Sequence, residues 1–170
     1  MELKFTYYPS PILKKKCKVV TDIDEGLRIG EEIKKCLREE GGVGLAANQV
    51  GLDLMIAVIA FQDDKDEYSI LKTIINPKII FKSPKTLIGE EGCLSFPSIF
   101  ADVERPYEIV VEGYLEGAGQ ITFRERDWQA RIFCHEIDHL NGIPFIDRMS
   151  PVIREMCQPQ LDQLAKKYQT

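Results

Sequence analysis

The sequence predicts an α+β fold, with mostly antiparallel β-sheets around a central helix that carries both histidines and a further helix at the C-terminus. Three observations predict it. A helical pattern near the start and two near the end flank a strand-rich middle, residues 54–125. The runs in that middle are separated by short turn segments, and elements segregated in this way indicate α+β. The only two histidines, His135 and His139, both lie in the penultimate helical pattern.

Length and composition narrow the class of protein. A chain of 170 residues is expected to form a single domain, residues 1–170. A net charge of −5 argues against direct nucleic-acid binding, which favours a basic surface. The start of the chain lacks the pattern of an export signal, and the longest apolar run, residues 54–61, is too short to cross a membrane. We therefore expect a cytoplasmic protein with no membrane partner, whose five cysteines are reduced thiols.

The first element is a helix over residues 22–40. It opens with acidic residues and places Ile23, Leu27, Ile33 and Leu37 at helical intervals before Gly41 and Gly42 end it. The apolar face of this helix is expected to cover a sheet.

The strands follow as short β-type runs. We predict them at 54–61, 68–75, 78–83, 107–115 and 120–125, with turn-forming residues such as Asn76-Pro77 between them. Short connections of this kind predict mainly antiparallel pairing.

Two helices complete the chain. The first, over 127–141, has Asp127 as its expected N-cap and ends at Asn141-Gly142. The second, over 151–168, is amphipathic, and Pro159 is expected to kink or split it.

The segment His135-Glu136-Ile137-Asp138-His139 carries the strongest chemical signal. On a helix, residues 135 and 139 lie one turn apart and about 40° apart around the axis, so both imidazoles reach one point. Glu136 projects to the same side. This is the H-E-x-x-H pattern, in which the imidazoles bind a divalent metal and the carboxylate handles the proton of a water.

The third metal ligand is not decided by this motif. The position that holds a third histidine in some zinc peptidases is Phe145 here, and no histidine remains elsewhere. Glu155 is a candidate because glutamate-ligated enzymes use a downstream acid. Cys93 is the other candidate, since its flanking Gly92 lets the backbone approach a neighbour closely. Cys134 points about 100° away from His135 on a rigid helix and cannot easily join the site. Cys17 and Cys36 are interpreted as structural, and Cys157 on the last helix is possible but has no supporting context.

A glycine-rich stretch, residues 40–51, forms the other unusual feature. It fits G-x-G-x-x-A, but a helix precedes it and a strand follows, which is the reverse of a dinucleotide site. We interpret Gly44 as allowing close approach of a substrate backbone. Gln49 offers an amide donor to a developing oxyanion.

Three segments together resemble the signature motifs of peptide deformylases: GVGLAANQ at 42–49, EGCLS at 91–95 and HEIDH at 135–139. The resemblance extends over essentially the whole chain. It implies that Cys93, His135 and His139 are the metal ligands. The implied ion is Fe²⁺, one per chain, with Zn²⁺, Ni²⁺ or Co²⁺ as replacements.

The same resemblance implies the remaining roles. Glu136 would act as general base, and the Gln49 side-chain amide and the Leu94 backbone N–H would stabilise the oxyanion. The substrates would be N-formyl-methionyl nascent peptides, met at the ribosome, and formate would be released. Substrate would lie along Val43, Gly44, Glu91, Gly92 and Ile132. Asp138 would pair with Arg105 instead of binding metal.

The chain departs from the family pattern at three positions. Cys134 stands where family members usually have glutamine, and Arg131 occupies a position that is often apolar. Phe100 stands close to the position, shortly after EGCLS, at which many members have an arginine. The last two affect the expected shape of the substrate pocket. Two other functions stay open at this point: a Glu155-ligated metallopeptidase, and a non-catalytic binder of formylated nascent chains.

Overall fold

The computed structural model describes residues 3–169, and the predicted α+β class is confirmed. The helices are α1 (Ile23–Glu40), α2 (Asp127–Leu140) and α3 (Pro151–Tyr168). The strands are β1 (Gly44–Ala46), β2 (Ile56–Gln62), β3 (Tyr68–Lys82), β4 (Thr86–Cys93), β5 (Phe96–Pro106), β6 (Glu108–Leu115) and β7 (Gly119–Arg126). Short 3₁₀ helices cover Pro11–Lys14, Ala47–Val50 and Phe145–Asp147.

The strands form two antiparallel sheets. Five of them make a sheet in the order β1-β2-β3-β6-β7, and β4 pairs only with β5 in a separate hairpin. Cys93 lies at the end of β4, directly before the turn of this hairpin. Cys93 therefore belongs to the hairpin and not to the five-stranded sheet.

The five-stranded sheet is covered by a helix on each face. Successive side chains of a strand point to opposite faces. Accordingly, Ile56 and Val58 of β2 pack in the cluster of α1, whereas Ala57 and Ile59 pack in the cluster of α2. The apolar run that contains them is buried on both sides, which explains why it reads as continuous and not as alternating. The predicted role of α1 in covering a sheet is confirmed.

The third helix packs against the hairpin. Leu161 and Leu164 of α3 share a cluster with Phe96, Ile99 and Val103 of β5. Residues 130–140 of α2 are all buried, so this helix lies at the centre of the molecule. No helix in the described range 3–169 is long and apolar enough to cross a membrane.

One prediction about the strands is wrong, and one hairpin was missed. The runs at 68–75 and 78–83 are one strand, β3, because Asn76-Pro77 forms an irregularity in the pairing with β6 and not a turn. The Asn76 side chain is held there by hydrogen bonds with the Val20 backbone. The hairpin β4–β5 was not predicted, since its glycines, prolines and charged residues weaken the strand pattern.

Two details of the helices also differ from prediction. Pro159 does not split α3, which is one continuous helix of 18 residues. The ring lies on the exposed side, while Cys157, Leu161 and Leu164 keep a single buried face against the core. Asp127 is the first residue of α2, and Arg126 holds the cap position without a side-chain hydrogen bond.

Candidate metal centre and substrate cavity

Three side chains from two elements converge at one point. Cys93 ends β4, and His135 and His139 lie one turn apart on α2. Their ligand atoms all lie within 4.8 Å of one another, and Cys93 Sγ is 3.2 Å from His139 Nε2. In residues 3–169 this is the one group of three such side chains close enough to share a metal ion.

The donor set fits a divalent transition metal. Metal bonds of the usual length from sulfur and imidazole, in a tetrahedron, place two ligand atoms roughly 3.6 Å apart, close to the spacing found. Two imidazoles and a thiolate suit zinc, iron, nickel or cobalt, whereas calcium and magnesium prefer oxygen. Three protein donors also leave one position of a tetrahedron for water or substrate, which is the arrangement of catalytic sites.

Glu91 orients the first imidazole. Its carboxylate accepts from His135 Nδ1 at 2.8 Å, which directs Nε2 of that ring toward Cys93. Arg105 donates two hydrogen bonds to the same carboxylate, and Arg131 donates a third. Burial opposes ionisation of Glu91, but the hydrogen bonds and charges of Arg105 and His135 outweigh it and lower its pKa. The Glu91 side chain is thus fully engaged, so a substrate contact at this residue would use its backbone.

Arg105 contacts Asp138 as well as Glu91. The predicted pairing of Asp138 with Arg105 is confirmed, and Arg148 donates two further hydrogen bonds to the same carboxylate. Asp138 is not part of the group formed by Cys93 and the two imidazoles. These ion pairs tie α2 to β5 and to the loop after the helix. They therefore limit movement of the helix relative to the hairpin.

Glu136 lies beside the convergence point without a partner for one oxygen. Its side chain is buried, and Oε2 has no hydrogen-bond partner within the described residues. Burial raises the pKa of Glu136 to about 7, with the charge of His135 opposing the shift and that of Glu91 adding to it. A buried carboxyl that titrates near neutral pH and has a free oxygen suits a proton acceptor.

Gly44 is required by Glu136. A Cβ atom at Gly44 would lie 2.4 Å from Glu136 Oε1 and 2.8 Å from its Cδ. The carboxylate of Glu136 thus fills the space that a side chain at position 44 would need. This reason for a glycine differs from the predicted one, which was close approach of a substrate backbone. That approach stays a prediction.

The pKa values of the two imidazoles are shifted in opposite directions. Burial opposes protonation of His135, but its contacts with Cys93 and Glu91 raise its pKa well above the usual value. Burial and the neighbouring charge of His135 lower the pKa of His139.

Gln49 faces the same point from the 3₁₀ helix Ala47–Val50. Its Nε2 donates to Cys93 Sγ at 3.2 Å and to Ser95 Oγ at 3.3 Å, while its Oε1 accepts from the Ala46 N–H at 2.9 Å. The amide orientation is thus held by the backbone. The Leu94 N–H, in the turn after Cys93, has no protein acceptor among residues 3–169. Both donors are placed close to the candidate metal ligands.

A cavity of about 550 Å³ opens at this centre. The residues predicted to contact substrate all line it: Val43, Gly44, Glu91, Gly92 and Ile132. Phe100 and Arg131, two of the departures from the family pattern, also line it. A Cβ atom at Gly92 would lie 2.5 Å from the Phe100 ring, so the exposed Phe100 covers the backbone of this glycine. The third departure, Cys134, is a buried core residue whose pKa burial raises to about 11.

The other candidate ligands lie elsewhere. Glu155 is exposed on α3 and is not part of the ligand group. Cys17 and Cys157 are buried in apolar clusters, and Cys36 is half-buried on α1. Of the two third-ligand candidates, the structure therefore brings Cys93, and not Glu155, to the imidazoles.

Three supporting residues were missed by the sequence reasoning. Asn48 Nδ2 donates to the His139 carbonyl oxygen at 2.6 Å and so holds the end of the motif helix. Ser95 accepts from Gln49, and Arg148 pairs with Asp138. Asn48 and Ser95 lie inside the quoted motifs, which was a usable signal. Arg148 lies in an irregular segment with no such pattern.

Comparison with known proteins gives consistent similarities. A sequence model of the polypeptide deformylase family matches residues 2–155. The chain is 40% identical over 161 residues to a peptide deformylase of Thermotoga neapolitana, covering 94% of each chain. It is 39% identical over 150 residues to one of Syntrophobacter fumaroxidans, covering 88% of this chain and 87% of that one. A Plasmodium falciparum peptide deformylase structure matches with a TM-score of 0.87 and 34% identity, covering 98% of this chain and 97% of that one.

Proposed function

Because the chain belongs to the polypeptide deformylase family, we propose that Cys93, His135 and His139 hold the divalent metal ion at which it removes N-formyl groups. The activity, hydrolysis of the formyl group from the N-terminus of newly made polypeptides, is that of the family. The convergence of one thiol from β4 and two imidazoles from α2 carries the assignment of the site. It supports residues 1–170 as one catalytic domain, since the site uses residues from widely separated parts of the chain.

The proposed ion is Fe²⁺, one per chain, which Zn²⁺, Ni²⁺ or Co²⁺ would replace. A thiolate with two imidazoles accepts any of these ions, and supply in the cell selects among them. When bound, such an ion supplies Lewis acidity, which polarises the formyl carbonyl and lowers the pKa of water.

Glu136 is the proposed general base. Its unpartnered Oε2 and its pKa of about 7 allow it to take a proton from the attacking water near neutral pH. The same carboxyl then donates that proton to the peptide nitrogen as the formyl carbon–nitrogen bond breaks. Formate and a free N-terminal amine are the products.

Gln49 and Leu94 are proposed to stabilise the oxyanion of the tetrahedral intermediate. The Gln49 amide is fixed by its Oε1 contact with the Ala46 N–H, so its Nε2 donor is preorganised. The Leu94 N–H is free of protein acceptors in the described chain and lies next to Cys93. Preorganised donors of this kind each contribute about 100-fold or more in kcat.

The cavity is the proposed site for the N-formyl-methionyl end of the peptide. Val43 and Ile132 supply apolar surface for the methionine side chain, and the backbone at Gly44, Glu91 and Gly92 supplies the wall along the peptide. The proposed partners are nascent chains at the ribosome, and the proposed location is the cytoplasm. Direct contact with nucleic acid or membrane is not part of this proposal.

Formate release tests the function. Protein loaded with iron without oxygen is mixed with a formyl-methionyl peptide, and formate is measured. Activity is expected in the wild type, and its absence would contradict the proposed centre. Cys93→Ser is expected to lose metal, whereas Glu155→Gln, on the exposed side of α3, retains metal and activity. Glu136→Gln is expected to bind metal and peptide without turnover; unchanged turnover in that variant would favour a different base.

A further inference from the structure

Arg131 connects the motif helix to both strands of the hairpin. It lies on α2, one turn before His135, and is 6% exposed. Its Nη1 donates to the Val103 carbonyl oxygen at 2.8 Å and to the Gly89 carbonyl oxygen at 3.3 Å. Its Nη2 donates to the Leu87 carbonyl oxygen at 2.8 Å. These acceptors belong to β4 and β5, so a single guanidinium spans the width of the hairpin.

Arg131 also reaches Glu91, the residue that orients His135. Nη1 lies 2.8 Å from Glu91 Oε2, and both groups are buried. Since Arg105 and His135 occupy the remaining positions on that carboxylate, Arg131 completes its set of donors. The guanidinium is planar with donors in a fixed fork, so it can serve several acceptors at once.

Gly89 makes room for this arrangement. A Cβ atom at Gly89 would lie 3.0 Å from Arg131 Nη2 and 3.1 Å from its Cζ. The φ of Gly89 is not positive, so its backbone conformation does not demand glycine. The absence of a side chain there is explained by the guanidinium that passes over it. Arg131 and Gly89 therefore form a matched pair.

The position of the hairpin decides whether the three candidate ligands meet. Within residues 3–169, β4 and β5 pair only with each other, and Cys93 ends β4, while both imidazoles are on α2. No ladder of backbone hydrogen bonds joins this hairpin to the five-stranded sheet in the described chain. Side-chain contacts between α2 and the hairpin, those of Arg131 among them, therefore contribute to the distance between Cys93 and the imidazoles.

We propose that Arg131 is a positioning residue that holds the Cys93-bearing hairpin in register on the helix of His135 and His139. It thereby sets the geometry and the retention of the bound metal ion. This proposal rests on the proposed metal centre. The alternative role for Arg131 is general stabilisation of the fold with no specific effect on the ligands.

Cobalt-loaded protein provides a readout that does not depend on turnover. Co²⁺ bound by a thiolate gives a sulfur-to-cobalt charge-transfer absorption band, and its intensity and position report the Cys93–metal bond. Transfer of cobalt to an added chelator gives a release half-time. Both are measured for the wild type, Arg131→Met, Arg131→Lys and Gly89→Ala, together with urea unfolding.

Lys34→Met is the matched control. Lys34 is 3% exposed on α1, on the opposite face of the five-stranded sheet, and its Nζ joins Glu31 and Glu116. Like Arg131, it is a buried cation that connects a helix to its surroundings. The Lys34→Met variant is expected to lower the urea midpoint and leave the cobalt band and release half-time unchanged.

Arg131→Met is expected to weaken or shift the band and to shorten the release half-time by about 10-fold to 100-fold, as for other residues that orient metal ligands. Gly89→Ala is expected to act in the same direction with a smaller effect, because its Cβ requires the guanidinium to shift by a few tenths of an ångström. The double variant is expected to be no worse than Arg131→Met alone, since both changes act through one contact. Arg131→Lys is expected to lie between, because one ammonium cannot reach acceptors on both strands.

Each outcome decides between the two roles. A wild-type band and half-time in Arg131→Met, with lower stability, would overturn the positioning role. If Arg131→Met does not fold, Gly89→Ala and Arg131→Lys decide the matter, and wild-type values in both would overturn the proposal. Absence of a thiolate band in the wild-type protein would instead contradict the proposed metal centre itself.

Discussion

Substitution of Gly44 by alanine should impair the general base without affecting the metal ligands. The new Cβ would lie 2.4 Å from Glu136 Oε1, and ordinary contact requires about 3.4 Å, so the carboxylate must move by about 1 Å. A displacement of that size at a reacting group costs about 100-fold in rate. This corresponds to about 2.7 kcal/mol in the activation barrier. Because Gly44 does not have a positive φ, alanine adds no backbone strain of its own.

The assay is formate release at saturating formyl-methionyl peptide, with metal content measured on the same preparation. Gly44→Ala is expected to keep its metal and to lose about 100-fold in kcat. Gly30→Ala is the control for overpacking, because its Cβ would lie 2.3 Å from Thr73 Oγ1, on the α1 side of the sheet. That variant is expected to lose about 1–3 kcal/mol of stability with kcat nearly unchanged. A wild-type kcat in Gly44→Ala would refute the placement of Glu136 as base.

Three further predictions concern pH and packing. Burial raises the pKa of Glu136 to about 7, so its basic form, and with it kcat, is lost as the pH falls through that value. A bound cation lowers the midpoint of this pH–rate curve. A kcat that stays constant from pH 7 to 4 would contradict the role of Glu136 as general base. Burial opposes ionisation of Glu116, but Lys34 and a backbone N–H outweigh it and lower its pKa, so the contact stabilises the fold above pH 4.5 and is lost on acidification. The urea midpoint of Glu116→Gln should therefore fall less steeply than that of the wild type below pH 4.5. Parallel curves of urea midpoint against pH for the two proteins would argue against this contribution. Leu161→Ala, at a fully buried position, should cost about 2–5 kcal/mol in unfolding free energy, whereas Met156→Ala, at an exposed one, should change it by less than about 0.5 kcal/mol.

The helices were predicted well because their signals are local. Acidic residues and glycines mark the ends of α1, and periodic apolar residues mark its buried face. The same reasoning located α2 and its two histidines. Pro159 was misjudged because its effect depends on which side of α3 meets the core, and a residue's own position in the sequence does not show that.

The hairpin β4–β5 was the main failure. Its strands are stabilised by pairing with each other and by packing of β5 on α3, and these contacts join residues distant in sequence. β5 does alternate buried and exposed positions, but Pro97 and Pro106 mask the pattern. The β3 irregularity was misread for a related reason, since Asn76-Pro77 has turn chemistry and only its bonds to Val20 keep it within a strand.

For the candidate site, the sequence by itself determined which chemistry is available. The spacing of His135 and His139 follows from helix geometry, and the three motifs identify Cys93, Glu136 and Gln49 as reactive or donor groups. It left the choice between Cys93 and Glu155 open until the family resemblance was considered.

Only the tertiary structure decided how these groups are held. The meeting of Cys93 with the imidazoles, the four donors on Glu91, the fit of Glu136 beside Gly44 and the passage of Arg131 over Gly89 all join separate elements. Such contacts depend on the packing of the hairpin against α2, and side-chain packing between distant segments leaves no periodic trace in the sequence. Helical periodicity, in contrast, is set within one turn of the chain and can be read directly.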